Sequence, residues 1–164
     1  MSKLKVVLDT SILVSALKSR DVKRSPSWKI LSLLSEDKLV NYGSKETVKE
    51  MKETLAIISL LIGKPEKAKA VYHLVLNHTK RVSPRVKFEE DKELVKLVGH
   101  ATDVKFLNVV YASKSRYLIS MNIKHLVKLR NPKTLKFNLK KHWFYIFKDS
   151  EFVKHVKEKY KWKI

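Results

Sequence analysis

Apolar residues along the chain follow two rhythms: short unbroken runs, and longer stretches spaced at three and four. Leu4 to Leu8, apolar apart from Lys5, predicts a short strand ending on Asp9. Ser11 to Leu17 carries Ile12, Leu13, Ala16 and Leu17 at helical spacing, and Ser27 to Leu34 repeats the pattern with Trp28, Ile30, Leu31 and Leu34. Leu39 to Tyr42 predicts a short strand before Gly43. Ser44 is placed to cap a long helix reaching Ile62, with Val48, Met51, Leu55, Ile58 and Ile62 as its apolar stripe. Gly63 stops that helix, and Pro65 suits the first turn of the next, Glu66 to His78. Lys80 to Phe88 reads as irregular or strand-like around Pro84. The acids Glu89, Glu90 and Asp91 suit the start of a helix carrying Leu94, Val95 and Val98.

Beyond Gly99, Asp103 to Lys114 predicts a helix with Phe106, Leu107, Val110 and Tyr111 on one face. Tyr117 to Ser120 predicts a strand, Asn122 to Leu129 a helix, and Trp143 to Phe147 a last strand. Asp149 or Ser150 caps a terminal helix with Phe152, Val153 and Val156 inward. Short apolar strands alternating with helices imply an α/β domain whose parallel sheet is covered on both faces. No repeat or linker divides the 164 residues, so one domain is expected.

Charge changes the picture. Thirty-six Lys and Arg against sixteen Asp and Glu leave a net charge of +20. Between Val104 and Lys148 stand eleven basic residues and no acid. Such a field attracts polyanions, and nucleic acid is favoured over an acidic membrane surface or an acidic protein. No apolar run approaches the ~20 residues of a membrane span. The apolar stretch before Asp9 is too short for a signal peptide, so the expected compartment is the cytoplasm. The absence of cysteine excludes disulfides, thiolate catalysis and Cys-based zinc sites. There is no glycine-rich phosphate loop, and the six histidines lack zinc-binding spacing.

Carboxylates remain as the candidate chemistry. Asp9 lies where a strand gives way to a helix; it reads either as a helix cap or as a ligand-binding acid at the carboxyl end of a strand. Asp103 opens a helix in front of the acid-free segment. Glu50 lies on the long helix, with Glu46 and Glu53 on the same side as alternatives.

Taken in order, these acids match a known pattern. Val6-Val-Leu-Asp-Thr-Ser-Ile-Leu-Val-Ser-Ala-Leu17 resembles the opening of PIN-domain (PilT N-terminus-like) nucleases, which include the toxins of many archaeal and bacterial toxin–antitoxin pairs. Ser44-Lys-Glu-Thr-Val-Lys-Glu50-Met, Asp103-Val-Lys-Phe-Leu-Asn-Val-Val and Tyr117-Leu-Ile-Ser-Met-Asn122-Ile-Lys-His-Leu resemble the second, third and fourth motifs, over roughly residues 4 to 150. The resemblance implies a PIN-like three-layer sandwich around a parallel sheet of about five strands, residues 1–164 forming one domain with a terminal helix from about 149. It implies metal-dependent endoribonuclease activity with Mg²⁺ or Mn²⁺ as cofactor. Asp9, Glu50 and Asp103 would be the metal-binding acids, within about one coordination sphere of each other. Ser11 would stand beside the metal water, and Asn122 would take the fourth position, where many members carry Asp. Phosphate contacts are expected from Lys105, Lys124, Lys128 and Arg130. The implied partners are RNA, a small antitoxin protein if the chain is a toxin, and a second copy in a homodimer. Two other readings stay open: a weakly active or inactive RNA-binding module, and a structure-specific processing nuclease.

Overall fold

A computed structural model describes residues 2–164. In chain order the elements are β1 (Leu4–Leu8), α1 (Thr10–Lys18), α2 (Pro26–Ser35), β2 (Leu39–Gly43), α3 (Lys45–Ile62), α4 (Pro65–Asn77), β3 (Thr79–Arg81), α5 (Lys92–Val98), α6 (Ala101–Ser113), β4 (Tyr117–Ile119), β5 (Lys136–Leu139), β6 (His142–Phe147) and α7 (Asp149–Tyr160). The six strands form one sheet in the order β3-β2-β1-β4-β6-β5. The first five are parallel, and β5 joins the far edge antiparallel to β6.

Alternation along β1 divides the interior. Val6 and Leu8 face a core shared with α1, α2, α4 and α7, whereas Val7 faces a second core built largely on α6. Ile12, Leu13, Ala16 and Leu17 are fully enclosed, so α1 lies flat against the sheet along its whole apolar stripe. Each large side chain so buried contributes about 1.5–3 kcal/mol. The chain leaves β1 for β2 and β3 on one side and later returns to β4 and β6 on the other. The carboxyl end of β1 is thus the point where strand order reverses, and open α/β sheets bind ligands there.

Two elements and one helix cap differ from the sequence expectation. Residues 122–129 form turns ending in a single 3₁₀ turn, Val127–Leu129, and not a helix. Asn122 starts the turn: its side-chain oxygen accepts from the His125 N–H at 3.2 Å and its carbonyl from the N–H groups of Leu126 and Val127. Pro132 and the hairpin that follows leave no length for a second turn of helix. Lys136–Leu139 adds a sixth strand because its mixed Lys-Phe-Asn-Leu sequence sits half-buried on an edge. Lys148 occupies the cap position of α7, where Asp149 or Ser150 was expected; Asp149 instead turns inward and accepts from the Ser27 hydroxyl at 2.8 Å.

Candidate active site

Asp9 stands at the carboxyl end of β1, where its N–H donates to the Ile119 carbonyl at 3.0 Å and ties it to β4. It occupies the cap position of α1, yet its side chain makes no capping hydrogen bond. The carboxylate instead accepts from the hydroxyls of Ser11 at 2.6 Å and Ser120 at 2.7 Å. Only 4% of the residue is exposed. Burial pushes its pKa up; the two hydroxyls oppose that, the Asp103 charge adds to it, and the Thr10 N–H opposes it weakly. The net direction is upward. A carboxyl group held where its charge is disfavoured is not explained by helix capping.

Glu50 reaches the same place from α3. Ser44 and Thr47 form a reciprocal capping box that fixes where α3 begins, so the residue six positions after Ser44 faces α1. There Glu50 accepts from the Thr10 hydroxyl at 2.8 Å. Its pKa is raised, first by burial and then by the charges of Asp9 and Asp103; the Thr10 hydrogen bond and Lys105 pull the other way. Glu46 and Glu53 flank it along a shallow cleft between α3 and α6 that Lys105 also lines. The fallback acids therefore sit beside Glu50 and do not replace it against Thr10.

Asp103 comes from the first turn of α6, which is capped by the His100 ring accepting from the Thr102 N–H at 3.3 Å. One oxygen of Asp103 lies 2.7 Å from His125 Nδ1. The His125 ring stacks on His100 at 5.7 Å and packs against Gly99, whose φ of 92° closes α5. A Cβ at Gly99 would stand 3.3 Å from His125 Cδ2, so glycine both makes the turn and admits the ring. The Asn122 oxygen is spent on the His125 N–H, while the Asn122 N–H donates to Ser120, which donates in turn to Asp9.

Ser120 and His125 stand against the acids from positions to which the motifs assign no role. The register offered a signal for the first: Leu8 pairs with Ile119, so the residue after each strand must sit side by side. His125 carried no such signal, because its position depends on the turn at residues 122–129. Of the expected phosphate contacts, Lys124 and Lys128 are exposed beside the site and Lys105 is half-exposed at the cleft. Arg130 is different. Its guanidinium forks onto Glu151 at 2.7 and 3.1 Å, donates to the Ile146 carbonyl at 2.8 Å and is only 12% exposed, which makes it a structural cation.

Whether these acids suit a divalent ion is a question of charge and donor type. Hard carboxylate and hydroxyl oxygens match Mg²⁺ and Mn²⁺, and the mutual repulsion of Asp9, Glu50 and Asp103 is what a cation relieves. Among the described residues no three Asp, Glu or His side chains are close enough to grip one ion directly. The set therefore fits an ion that keeps much of its water shell, as Mg²⁺ does.

The comparisons agree with this architecture. A family model described as PIN domain matches residues 5–124. An uncharacterized protein of Methanocaldococcus jannaschii is 30% identical over 139 residues, covering 83% of this chain and 82% of its own length. No helix is long and apolar enough to cross a membrane among the described residues. PIN domains are generally nucleases that use divalent metal ions. With Asp9 at the switch point of the sheet and the matched segment spanning three of the four motifs and entering the fourth, the chain belongs to the PIN-domain family.

Proposed function

We propose that the chain is a metal-dependent endoribonuclease whose acidic site is built by Asp9, Glu50 and Asp103. The observation that supports this most is the state of Asp9, buried at the carboxyl end of the central strand, held by two hydroxyls and pushed upward in pKa by burial and a neighbouring acid. A bound Mg²⁺ or Mn²⁺ would supply Lewis acidity and a more acidic water. Asp9 and Asp103 would hold it with Glu50, partly through water.

The protein's own groups divide the remaining work. Ser11 and Ser120 orient the Asp9 carboxylate, and Ser11 also accepts the Met121 N–H at 2.9 Å, which locks the loop after β4 against α1. Thr10 orients Glu50, and His125 orients Asp103. Lys105, Lys124 and Lys128 provide cations for backbone phosphates. Asn122 acts through the turn it closes and contributes no charge.

Cleavage of a panel of RNAs and DNAs by wild type and Asp9→Asn, with and without EDTA, tests the reading. RNA should be cut in a metal-dependent manner and Asp9→Asn should be inactive; cleavage surviving both treatments would defeat the proposal. The neutral Asn122 favours a second reading, a weakly active RNA-binding module. Asn122→Asp separates the two: a charge-limited nuclease should cleave faster at low Mn²⁺, and an RNA-binding module should gain no activity. A toxin role with a small antitoxin is an extension of the first reading. Growth arrest on expression, relieved by co-expressing a short neighbouring gene, is its test.

A further inference from the structure

Positive charge also gathers at the end of the sheet opposite the acids. Lys114 ends α6 at φ 55°, and Lys140 and Lys141 form the two-residue turn between β5 and β6 at φ 46° and 67°. A turn with both central residues at positive φ is best served by Asn-Gly, and a Cβ is disfavoured at each position. Backbone economy therefore does not account for lysine at these positions. Aromatic rings hold the cations: Arg116 and Lys136 stand 4.2 and 4.4 Å from the Trp143 ring centre, and Lys114 stands 3.7 Å from that of Tyr111. Trp143 is 39% exposed although it lies within a strand.

These groups reach one end of the sheet from both faces, Trp143 beside Tyr145 on the side of α7 and Tyr111 beside His142 on the side of α6. The His142 ring bonds the Ser115 carbonyl at 2.8 Å, and the Tyr145 N–H donates to the Arg116 carbonyl at 2.8 Å, joining the hairpin turn to the turn before β4. None of Lys114, Arg116, Lys136, Lys140 and Lys141 is paired with a carboxylate among the described residues. Their field is felt inside: the pKa of His142 is lowered by burial first, and further by Arg116 and Lys114, against a raising contribution from Ser115. Lys114, Arg116, Lys140 and Lys141 lie at the amino ends of β4 and β6, and Lys136, paired with Tyr145 further along β6, brings its ammonium back to Trp143; Asp9 and Ser120 lie at carboxyl ends. A six-residue strand such as β6 spans roughly 17 Å.

We propose that this end of the sheet is a second polynucleotide contact, a phosphate-backbone site that holds a distant part of a long or folded RNA while another part occupies the acidic site. It rests on the nuclease reading only for the identity of the polymer. A polynucleotide fits better than an acidic protein or a membrane because the cations are strung from the turn before β4 to the β5–β6 hairpin with no carboxylate between them in the chain, as a line of phosphates requires. The same acid-free segment supplies Lys105, Lys124 and Lys128 beside the acids, so one chain of phosphates is attracted at both ends.

The test uses the full chain carrying Lys136→Gln, Lys140→Asn and Lys141→Gly, in an Asp9→Asn background and EDTA so that RNA stays intact. Asn and Gly suit the turn, so the fold should be kept, and an unchanged melting temperature checks this. Binding is measured against salt for a stem-loop RNA, a trinucleotide too short to span the sheet, and phosphatidylserine–phosphatidylcholine vesicles. Removing three cations should lower the log–log salt slope for the stem-loop by about 2–3 units and leave the trinucleotide unaffected. An unchanged stem-loop slope overturns the proposal, as does equal weakening of both RNAs or a loss confined to vesicles. A reduced slope in a protein that cuts no RNA would support this surface while removing the nuclease reading, so the two fail separately.

Discussion

Replacing Asp9 by Asn keeps the shape of the side chain and removes its charge, and the structure sets two opposing consequences. The carboxylate accepts hydroxyl hydrogen bonds at 2.6 and 2.7 Å, and an amide oxygen can accept both less strongly, a loss of about 1 kcal/mol in all. Against this, a buried charge beside Asp103 disappears. The folded-state pKa of Asp9 is raised, so the folded protein binds that proton more tightly than the unfolded chain does. Stability from this group is complete below the ordinary aspartate value and is lost as pH rises through the folded value. At neutral pH the wild type carries that deficit and Asp9→Asn does not. Without metal, the variant should therefore melt at the same temperature as wild type or higher.

Metal reverses the order. An ion at a hundredfold excess over its Kd stabilises the folded state by about 2.7 kcal/mol. At about 2–4 °C per kcal/mol for a chain of this length, wild type should gain about 5–10 °C in Mn²⁺. Asp9→Asn should gain almost none. Thermal unfolding in EDTA, Mn²⁺ and Mg²⁺ reads both effects. If Asp9 merely completed a helix end, Asp9→Asn would be nearly neutral, Asp9→Ala would lose about 1 kcal/mol, and both variants would still respond to Mn²⁺. A variant that melts below wild type in EDTA yet keeps its response to Mn²⁺ would refute the reasoning.

His125→Ala should weaken Mn²⁺ binding by about 10-fold or more, measured by calorimetry, with little change in melting temperature; His125→Asn, which keeps a donor, should restore part of it. Equal affinity in His125→Ala would show that Asp103 is positioned without the ring. Arg130→Ala breaks a largely buried fork onto Glu151 and should cost about 2–3 kcal/mol in urea unfolding, with the salt slope of RNA binding unchanged. A lower slope with full stability would return Arg130 to the phosphate surface. Burial lowers the pKa values of His142 and His155 in the fold, so the unfolded chain takes up more protons from about pH 6.5 downward and stability should fall with pH there. His142→Gln, which keeps a donor to Ser115, should make that fall shallower in urea midpoints taken from pH 7 to 5, and an unchanged profile would assign it elsewhere.

What could be read from the chain was whatever local physics decides. Apolar runs such as Val6 to Leu8 and periodic stripes such as Ile12 to Leu17 have one stable use each, and both lie where they were expected. Segments whose pattern is shared between two structures were not legible. Residues 122–129 carry enough apolar positions for a helix, but Asn122 spends its side chain on His125 N–H and closes a turn. Lys136–Leu139 alternates like a strand too polar to stand out, and it pairs only because β6 offers an edge. The site divides along the same line. Asp9 and Asp103 stood out in the sequence because each sits where a strand or cap ends, and Glu50 by its spacing from Ser44 on α3. Their partners come from other elements: Ser120 across the sheet, Thr10 across α1 and α3, and His125 across a loop that only Gly99 lets close. An acid's position can be written in local sequence, but the groups that hold its charge are assembled by tertiary packing. In the proposed metal site those groups, together with the acids, would set how tightly an ion is held.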